Sequence, residues 1–293
     1  MTEIPTKVGV FGGGRMGAGI AHALLIAGAD VVLVEVSDAA VEAAMDRVHS
    51  SLAASQRRGL LDGDMNSYTE RIVGTGDHSL LSGAGLVIEA VPEDPAIKAS
   101  VFEKIESVIG DDAVLASNTS SLSIDDLSAA LRIPGRFIGL HFFNPVPASK
   151  LVEIVVGAAT TSAVVKKTQL WVTDLGKTAI TVKDSPGFAS SRLGVYLALE
   201  AMRMLEEGVA SAEAIDSAMK LGYRHPVGPL ETTDLVGLDV RLAVAEYLES
   251  KIGARFTPPQ ILRDKVAAGH LGKKTGHGFI TGKQAQYQRV VVV

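Results

Sequence analysis

Along the first half of the chain, short runs of consecutive apolar and often β-branched residues alternate with longer stretches of helical periodicity. The runs Val8–Phe11, Asp30–Val36, Ile72–Gly74, Leu86–Val91, Ala113–Ser117, Phe137–Phe143 and Leu151–Val156 read as strands. The early ones are apolar almost throughout, as strands covered on both faces must be. Between them, Met16–Ala27 (closed by Gly28) and Asp38–Arg58 (closed by Gly59) read as helices, with glycine where a C-terminal cap requires it. This alternation predicts a doubly wound α/β domain.

The pattern changes after Asp184-Ser185-Pro186-Gly187. From Ser190 to about Ala268 no strand pattern is found. Helical periods take over, such as Leu193, Leu197, Ala201 and Leu205, then Ala212–Leu221 and Val240–Lys251, broken at Pro226, Pro229 and Pro258-Pro259. The expected organisation is an α/β sheet domain over residues 1–184 and an all-α domain over residues 185–293. There is no internal repeat and no low-complexity tract. Gln284–Val293, with its four terminal valines, reads as a frayed end.

Composition narrows the function classes. A chain of 293 residues can bury two cores. The formal net charge of −5 lacks the concentrated basic face that a nucleic-acid partner calls for. The absence of cysteine removes disulfide scaffolds, thiolate nucleophiles and Cys-ligated zinc, and no metal site is expected. The first residues resemble no signal peptide, and no apolar run approaches the roughly 18 residues of a membrane helix. A cytoplasmic enzyme without membrane association is the expectation.

The strand at Val8 runs into Gly12-Gly13-Gly14-Arg15-Met16-Gly17, in which Gly12, Gly14 and Gly17 form G-x-G-x-x-G. The first glycine allows a tight turn, the second lets the backbone approach a pyrophosphate, and the third lets helix and strand pack closely. The helix N-terminus adds free N–H groups and a partial positive charge. The next strand ends in Glu35, 18 residues beyond Gly17. That is near the spacing of about 20 expected for the acid that binds the adenosine ribose. No Arg or Lys follows in Val36-Ser37-Asp38 to receive a 2′-phosphate, so NAD is favoured over NADP. The other reading of Glu35 is a carboxylate that merely solvates a strand end.

Two segments carry candidate chemistry. Ser117-Asn118-Thr119-Ser120-Ser121 lies at the C-terminal end of a strand, where open α/β sheets place ligands. Ser123 and Asp126 form a capping box, which leaves the other hydroxyls for a ligand, unless the turn satisfies its own backbone. The second segment is His141-Phe142-Phe143-Asn144-Pro145-Val146-Pro147, followed by Leu151–Val155, in which Glu153 interrupts an apolar strand. A buried carboxylate is costly unless paired, and the turn imposed by the two prolines allows the second strand to fold back beside the first. A His141–Glu153 pair would fix one imidazole tautomer and favour its protonated form, as a base acting on a hydroxyl requires.

With these motifs in order, the chain resembles the 3-hydroxyacyl-CoA dehydrogenase family from Val8 to about Phe279. The motifs are Gly12–Ile20, Val87–Glu93, Ser117–Ser121, His141–Pro145, Asp184–Phe188 and Gly272–Gly276. The resemblance implies a Rossmann-type domain followed by a helical domain through which the protein dimerises. It implies transfer of hydride from the C3 hydroxyl carbon of an (S)-3-hydroxyacyl-CoA to NAD, with His141 as base and Glu153 orienting it. Ser120 and Asn144 would hold substrate oxygens and the nicotinamide end. Glu93, Lys98 and Lys274 match cofactor-side positions, and Ser51 and Arg58 match positions that touch coenzyme A. From the residues alone, Arg57-Arg58-Gly59 reads only as a helix end with cations complementing its dipole. The chain departs from the family at Ser191, which stands where the motif Pro-Gly-Phe-x-x-Asn-Arg has Asn, and this bears on acyl preference. Two rivals are a dehydrogenase of a free hydroxy acid such as gulonate or carnitine, and a non-catalytic NAD-binding scaffold.

Overall fold

The computed structural model describes residues 3–280, so Gln284–Val293 lies outside the described residues. The chain divides between Phe188 and Ala189 into two compact units. The expected break after Asp184 falls four residues earlier.

The first unit opens with β1 (Lys7–Phe11), α1 (Arg15–Ile26), β2 (Asp30–Val34), α2 (Asp38–Arg57), α3 (Asn66–Thr69) and β3 (Ile72–Thr75). It continues through β4 (Leu86–Glu89), α4 (Pro95–Glu106), β5 (Val114–Ser117), α5 (Ile124–Ser128), β6 (Phe137–Phe142), β7 (Leu151–Val156), α6 (Ser162–Asp174) and β8 (Thr178–Lys183). The eight strands form one sheet in the order β3-β2-β1-β4-β5-β6-β7-β8. The first six of these are parallel. Strand β7 then runs antiparallel to β6, and β8 runs parallel to β7.

Strand alternation splits the core into two layers. Val8, Val10, Leu33, Ile88, Leu140 and Ile154 pack on the face that carries α1 and α2. Phe11, Val87, Leu115, Phe137 and Val155 pack on the other, against Val101, Phe102 and Ile105 of α4. His141 shares the parity of Phe137, and Glu153 that of Val155. Helices α2 and α4 start at side-chain caps: Ser37 accepts from Ala40 N, and Asp94 from Ala96 N and Ile97 N. Of the expected capping box, Ser123 does accept from Asp126 N at 3.1 Å. Its hydroxyl, however, donates to Asp184 Oδ2 at 2.6 Å, so the cap is tied to the end of β8.

Strand β8 is absent from the sequence reading. Thr178–Lys183 is an edge strand whose positions are half-buried or exposed, so it has neither the continuous apolar run of a central strand nor a strong alternation.

The second unit is helical: α7 (Ser190–Glu206), α8 (Ala212–Ser217), α9 (Pro229–Val236), α10 (Leu238–Ile252) and α11 (Gln260–Ala267). Val195, Leu199, Met202, Leu238, Leu248 and Phe256 build its core. The expected single helix Ala212–Leu221 is shorter, passing after Ser217 into a wider turn over Ala218–Gly222. No helix among the described residues is long and apolar enough to cross a membrane.

The β1–α1 junction has the least room. A Cβ on Gly17 would collide with the carbonyl oxygen of Gly12, whereas a Cβ on Gly14 would meet nothing within 4 Å. Gly17 thus sets the helix–strand distance, and Gly14 leaves open space above the loop. Gly17→Ala forces the helix off the strand. It should cost about 2 kcal/mol by overpacking and lower the thermal midpoint by about 5 °C, with NAD affinity falling in parallel. Calorimetry with and without NAD checks this, and an unchanged midpoint would show that the loop absorbs the methyl group.

Candidate active site

The glycine turn has the geometry a dinucleotide needs. Gly12 takes φ of 98°, and a Cβ there would stand 2.8 Å from the Ala90 carbonyl oxygen, so only glycine fits. Glu35, just past β2, accepts from Gly13 N at 2.6 Å through Oε1 and from Val36 N at 3.1 Å through Oε2. It is therefore more than a solvated strand end, because it braces the turn while its remaining lone pairs stay available to a diol. Arg47 Nη1 donates to Gly13 O at 3.2 Å from the other side. The open cradle above Gly14, the free N-terminus of α1 and the Glu35 carboxylate fit NAD.

A polar network occupies the C-terminal ends of β4 and β5. Glu89 is completely buried, as is Lys98 at 1% exposure. Lys98 Nζ lies 2.6 Å from Glu89 Oε1 and 3.3 Å from Glu93 Oε2. Glu89 also accepts from Val91 N at 2.7 Å and from the Ser117 hydroxyl at 2.6 Å. Glu93 Oε1 collects the Thr119 hydroxyl at 2.6 Å, Ser120 N at 2.9 Å and Ser121 N at 3.0 Å, with the Ser120 hydroxyl 3.3 Å away. Burial disfavours the charge on Glu93, but the Lys98 ammonium and these donors hold its carboxyl below the usual carboxylate range. The serine-rich loop does satisfy part of its own backbone, with the Thr119 hydroxyl accepting from Leu122 N at 2.9 Å and the Ser117 hydroxyl accepting from Thr119 N at 3.2 Å. The hydroxyls of Thr119, Ser120 and Ser121 converge on Glu93. Asn118 Oδ1 accepts from Phe142 N at 2.9 Å and fastens this loop to the end of β6.

Across the β6–β7 register, His141 stands directly opposite Glu153. Nδ1 of His141 is 2.8 Å from Glu153 Oε2, with the carboxylate fully buried and the ring 6% exposed. The rings of Phe143 and Phe188 pack against the imidazole at centroid distances of 4.4 and 5.7 Å. Phe188 holds φ of 51°, a strained conformation for an aromatic residue, at the last position of the unit.

A cavity of about 570 Å³ opens between the α1–α2 pair and the loop 144–148. Its wall brings together four expected residues, Arg15, Ser51, Arg58 and Asn144. Behind the wall lies His22, which the sequence reading missed. It is 1% exposed, with Nδ1 against the Ser51 hydroxyl and Nε2 3.3 Å from that of Ser55. Lys177 holds the opposite wall by donating to Val146 O at 2.7 Å and Ser149 O at 2.5 Å.

Two expected residues lie in the second unit. Ser191 is half-buried in the first turn of α7. Lys274 lies beyond α11 in an ion pair with Asp239, its Nζ 2.6 Å from both carboxylate oxygens. Asp234 fixes the chain beyond that loop by accepting from Phe279 N and Ile280 N at 2.8 and 3.0 Å. Of the residues missed, Glu89 carries the same signal that singled out Glu153, a carboxylate ending an apolar strand. His22 is likewise the polar break in the apolar run Ile20–Leu25.

A dinucleotide loop on a parallel sheet, joined to a buried His–Glu pair and a helical second unit, defines a two-domain nicotinamide-cofactor dehydrogenase. Residues 7–185 match the family described as 3-hydroxyacyl-CoA dehydrogenase, NAD binding domain, and residues 187–282 match its C-terminal domain. The 3-hydroxybutyryl-CoA dehydrogenase of Bradyrhizobium diazoefficiens is 40% identical over 281 residues, covering 95% of this chain and 96% of that protein. That of Mycobacterium tuberculosis is 41% identical over 285 residues, covering 96% of this chain and all (100%) of its own. The crystal structure of (S)-3-hydroxybutyryl-CoA dehydrogenase from Ralstonia eutropha superposes with a TM-score of 0.91 at 41% identity, covering 95% of this chain and 100% of that one. The chain belongs to the 3-hydroxyacyl-CoA dehydrogenase family. It is in class an NAD-dependent oxidoreductase.

The buried imidazole behind the cavity has a stability consequence. Burial, then the cations Arg58 and Lys177, lower the His22 pKa from its ordinary 6.5 to about 4. Above pH 6.5 His22 is neutral whether the chain is folded or not. Below it the unfolded chain takes a proton that the folded one refuses, so stability falls as the pH drops from 6.5 toward 4. Between pH 7 and pH 4.5 this contributes a loss of about 2 kcal/mol. Urea unfolding at both values checks it, and His22→Leu should remove that part of the loss. An equal loss in both proteins would place the titration elsewhere.

Proposed function

We propose that the protein oxidises the C3 hydroxyl of a short-chain (S)-3-hydroxyacyl-CoA with NAD, and that His141 and Glu153 carry the proton chemistry. The observation behind this reading is the 2.8 Å contact between His141 Nδ1 and the buried Glu153 carboxylate. Glu153 accepts the Nδ1–H, which leaves the lone pair on Nε2 to take a proton. As the substrate O–H bond breaks, its proton passes to Nε2 and the C3–O bond becomes a carbonyl. NAD, when bound, accepts the hydride leaving C3. Glu153 stabilises the imidazolium that forms, and the Phe143 and Phe188 rings pack against the imidazole and keep water away.

Asn144, at the mouth of the cavity, and Ser120, beside Glu93, are assigned to the reacting end of the substrate and the nicotinamide. The charged Glu93–Lys98 pair orients that loop. The cavity wall of Ser51, Arg58 and Arg15 suits the coenzyme arm, which offers carbonyl and phosphate oxygens to hydroxyl and guanidinium donors. For Ser191 and Lys274, the family resemblance supports contact with the acyl group and the cofactor. Exposed apolar side chains on the helical unit, among them Leu193, Leu221 and Tyr223, support a homodimer formed through it. A cytoplasmic location is part of the same proposal.

His141→Ala should lower kcat by at least about 100-fold, as expected for loss of a general base. Glu153→Gln should lower it too, and the double variant should lose far less than the product of the two. Steady-state rates on 3-hydroxybutyryl-CoA measure all three, and a multiplicative loss would mean that the residues act separately.

The cofactor assignment rests on Glu35, whose carboxylate repels a 2′-phosphate. The enzyme should prefer NAD to NADP in kcat/KM, and Glu35→Gln should narrow that preference with little change in kcat for NAD. Equal use of the two cofactors by the unaltered enzyme would contradict it.

A further inference from the structure

His22 stands apart from the catalytic pair, yet its surroundings are those of a functional group rather than of a core residue. It projects from α1 into the seam with α2, where aliphatic side chains would pack at no polar cost. Both ring nitrogens instead meet side-chain hydroxyls of α2, those of Ser51 and Ser55. Ser51 lines the cavity. Ser55 is buried, but Arg58 Nη2 donates to its oxygen at 3.4 Å, and Arg58 lines the cavity as well. Arg58 is held further by its Nε, which donates to Ala54 O at 3.1 Å. Ser51, Ser55 and Arg58 are spaced i, i+4, i+7 toward the end of α2, so they share one helix face. Two paths therefore lead from one buried imidazole to two donors on the cavity wall.

The donor and acceptor roles can be followed atom by atom. With burial and two nearby cations holding it neutral, the imidazole has one donor and one acceptor. Arg58 has donors only, so Ser55 Oγ accepts from it and turns its own O–H toward Nε2. Nδ1 then carries the ring proton and donates to Ser51 Oγ. The O–H of Ser51 is left to face the cavity as a donor, beside the guanidinium of Arg58.

We propose that His22 is a positioning residue for the substrate, orienting the Ser51 hydroxyl and, through Ser55, the Arg58 guanidinium as paired donors to carbonyl or phosphate oxygens of the coenzyme arm. The inference rests on the assignment of that cavity to the coenzyme arm. His22 touches neither cofactor nor acyl group, so its effect falls on coenzyme recognition and not on the chemical step.

Two substrates separate these effects: 3-hydroxybutyryl-CoA, and the same acyl group on N-acetylcysteamine, which lacks the nucleotide and most of the arm. His22→Leu should raise KM for the CoA thioester about tenfold, the usual worth of a hydrogen bond to a charged group, with kcat changed by less than about twofold. KM for the truncated thioester should not move. His22→Gln, which retains a donor and an acceptor, should recover most of the loss. Adding Ser51→Ala to His22→Leu should cost less than the two separate effects combined. Should His22→Leu fold poorly by calorimetry, Ser55→Ala, which cuts only the Arg58 path, should still raise KM for the CoA thioester alone. Equal changes on both thioesters, or none on the CoA thioester, would overturn the role of His22. An unaltered enzyme with the same KM for both thioesters would instead overturn the assignment of the cavity.

Discussion

The reversal of the chain between β6 and β7 is the constraint on which the rest of the first unit depends. Five parallel neighbours end at β6, and the next strand returns antiparallel, so that Glu153 faces His141 across one rung of the ladder. A fully buried carboxylate is tolerable in that sheet because it is paired there. A slip of one residue would turn Glu153 to the face occupied by Leu140 and Ile154, leaving it unpaired among aliphatic side chains. The register is therefore fixed both by hydrophobic alternation and by the cost of an orphaned charge. Lys177 reinforces it from outside the sheet by holding the carbonyls of Val146 and Ser149 in the connecting turn.

The same economy governs the other buried charges. Glu89, Ser117 and His141 end or nearly end adjacent strands, which places the polar groups at the carboxyl edge of the sheet, where the dinucleotide turn also lies. Lys98 bridges two carboxylates there, and Glu93 gathers the Ser120 loop around itself. The Glu106–Arg136 pair is a contrast. Its guanidinium lies 3.0 Å from the carboxylate and donates to Gly110 O, and the carboxylate caps Arg132 N and Ile133 N. That pair ties α4 to the start of β6 and has no opening toward a ligand. Buried charge alone does not mark a site; its position on the carboxyl edge does.

The cavity side of the unit shows how recognition is separated from chemistry. His141 receives its partner from a neighbouring strand, whereas Ser51 and Arg58 receive theirs from a helix and a histidine beneath it. Strands hold the reacting group with little freedom. The helix pair presents the donors for a long and flexible ligand arm.

Local sequence determined a great deal. Continuous apolar runs specified the central strands, because a strand covered on both faces is apolar almost throughout. The Gly12–Gly17 turn declared itself, because only glycine tolerates its positive φ and close helix contact. Glu153 was legible as a carboxylate in an apolar strand that needed a partner, and His141 as the nearest candidate. Tertiary structure alone decided the rest. Edge strand β8 carries no buried run to read, since solvent covers much of it. The Ser120 loop looked open from its hydroxyls, yet Glu93, 27 residues before Ser120, gathers those of Thr119, Ser120 and Ser121. His22 looked like an ordinary helix residue until α2 brought Ser51 and Ser55 against its two nitrogens. A sequence shows what each residue requires, a partner or a burial place. Which distant group supplies it depends on the packing of elements far apart along the chain.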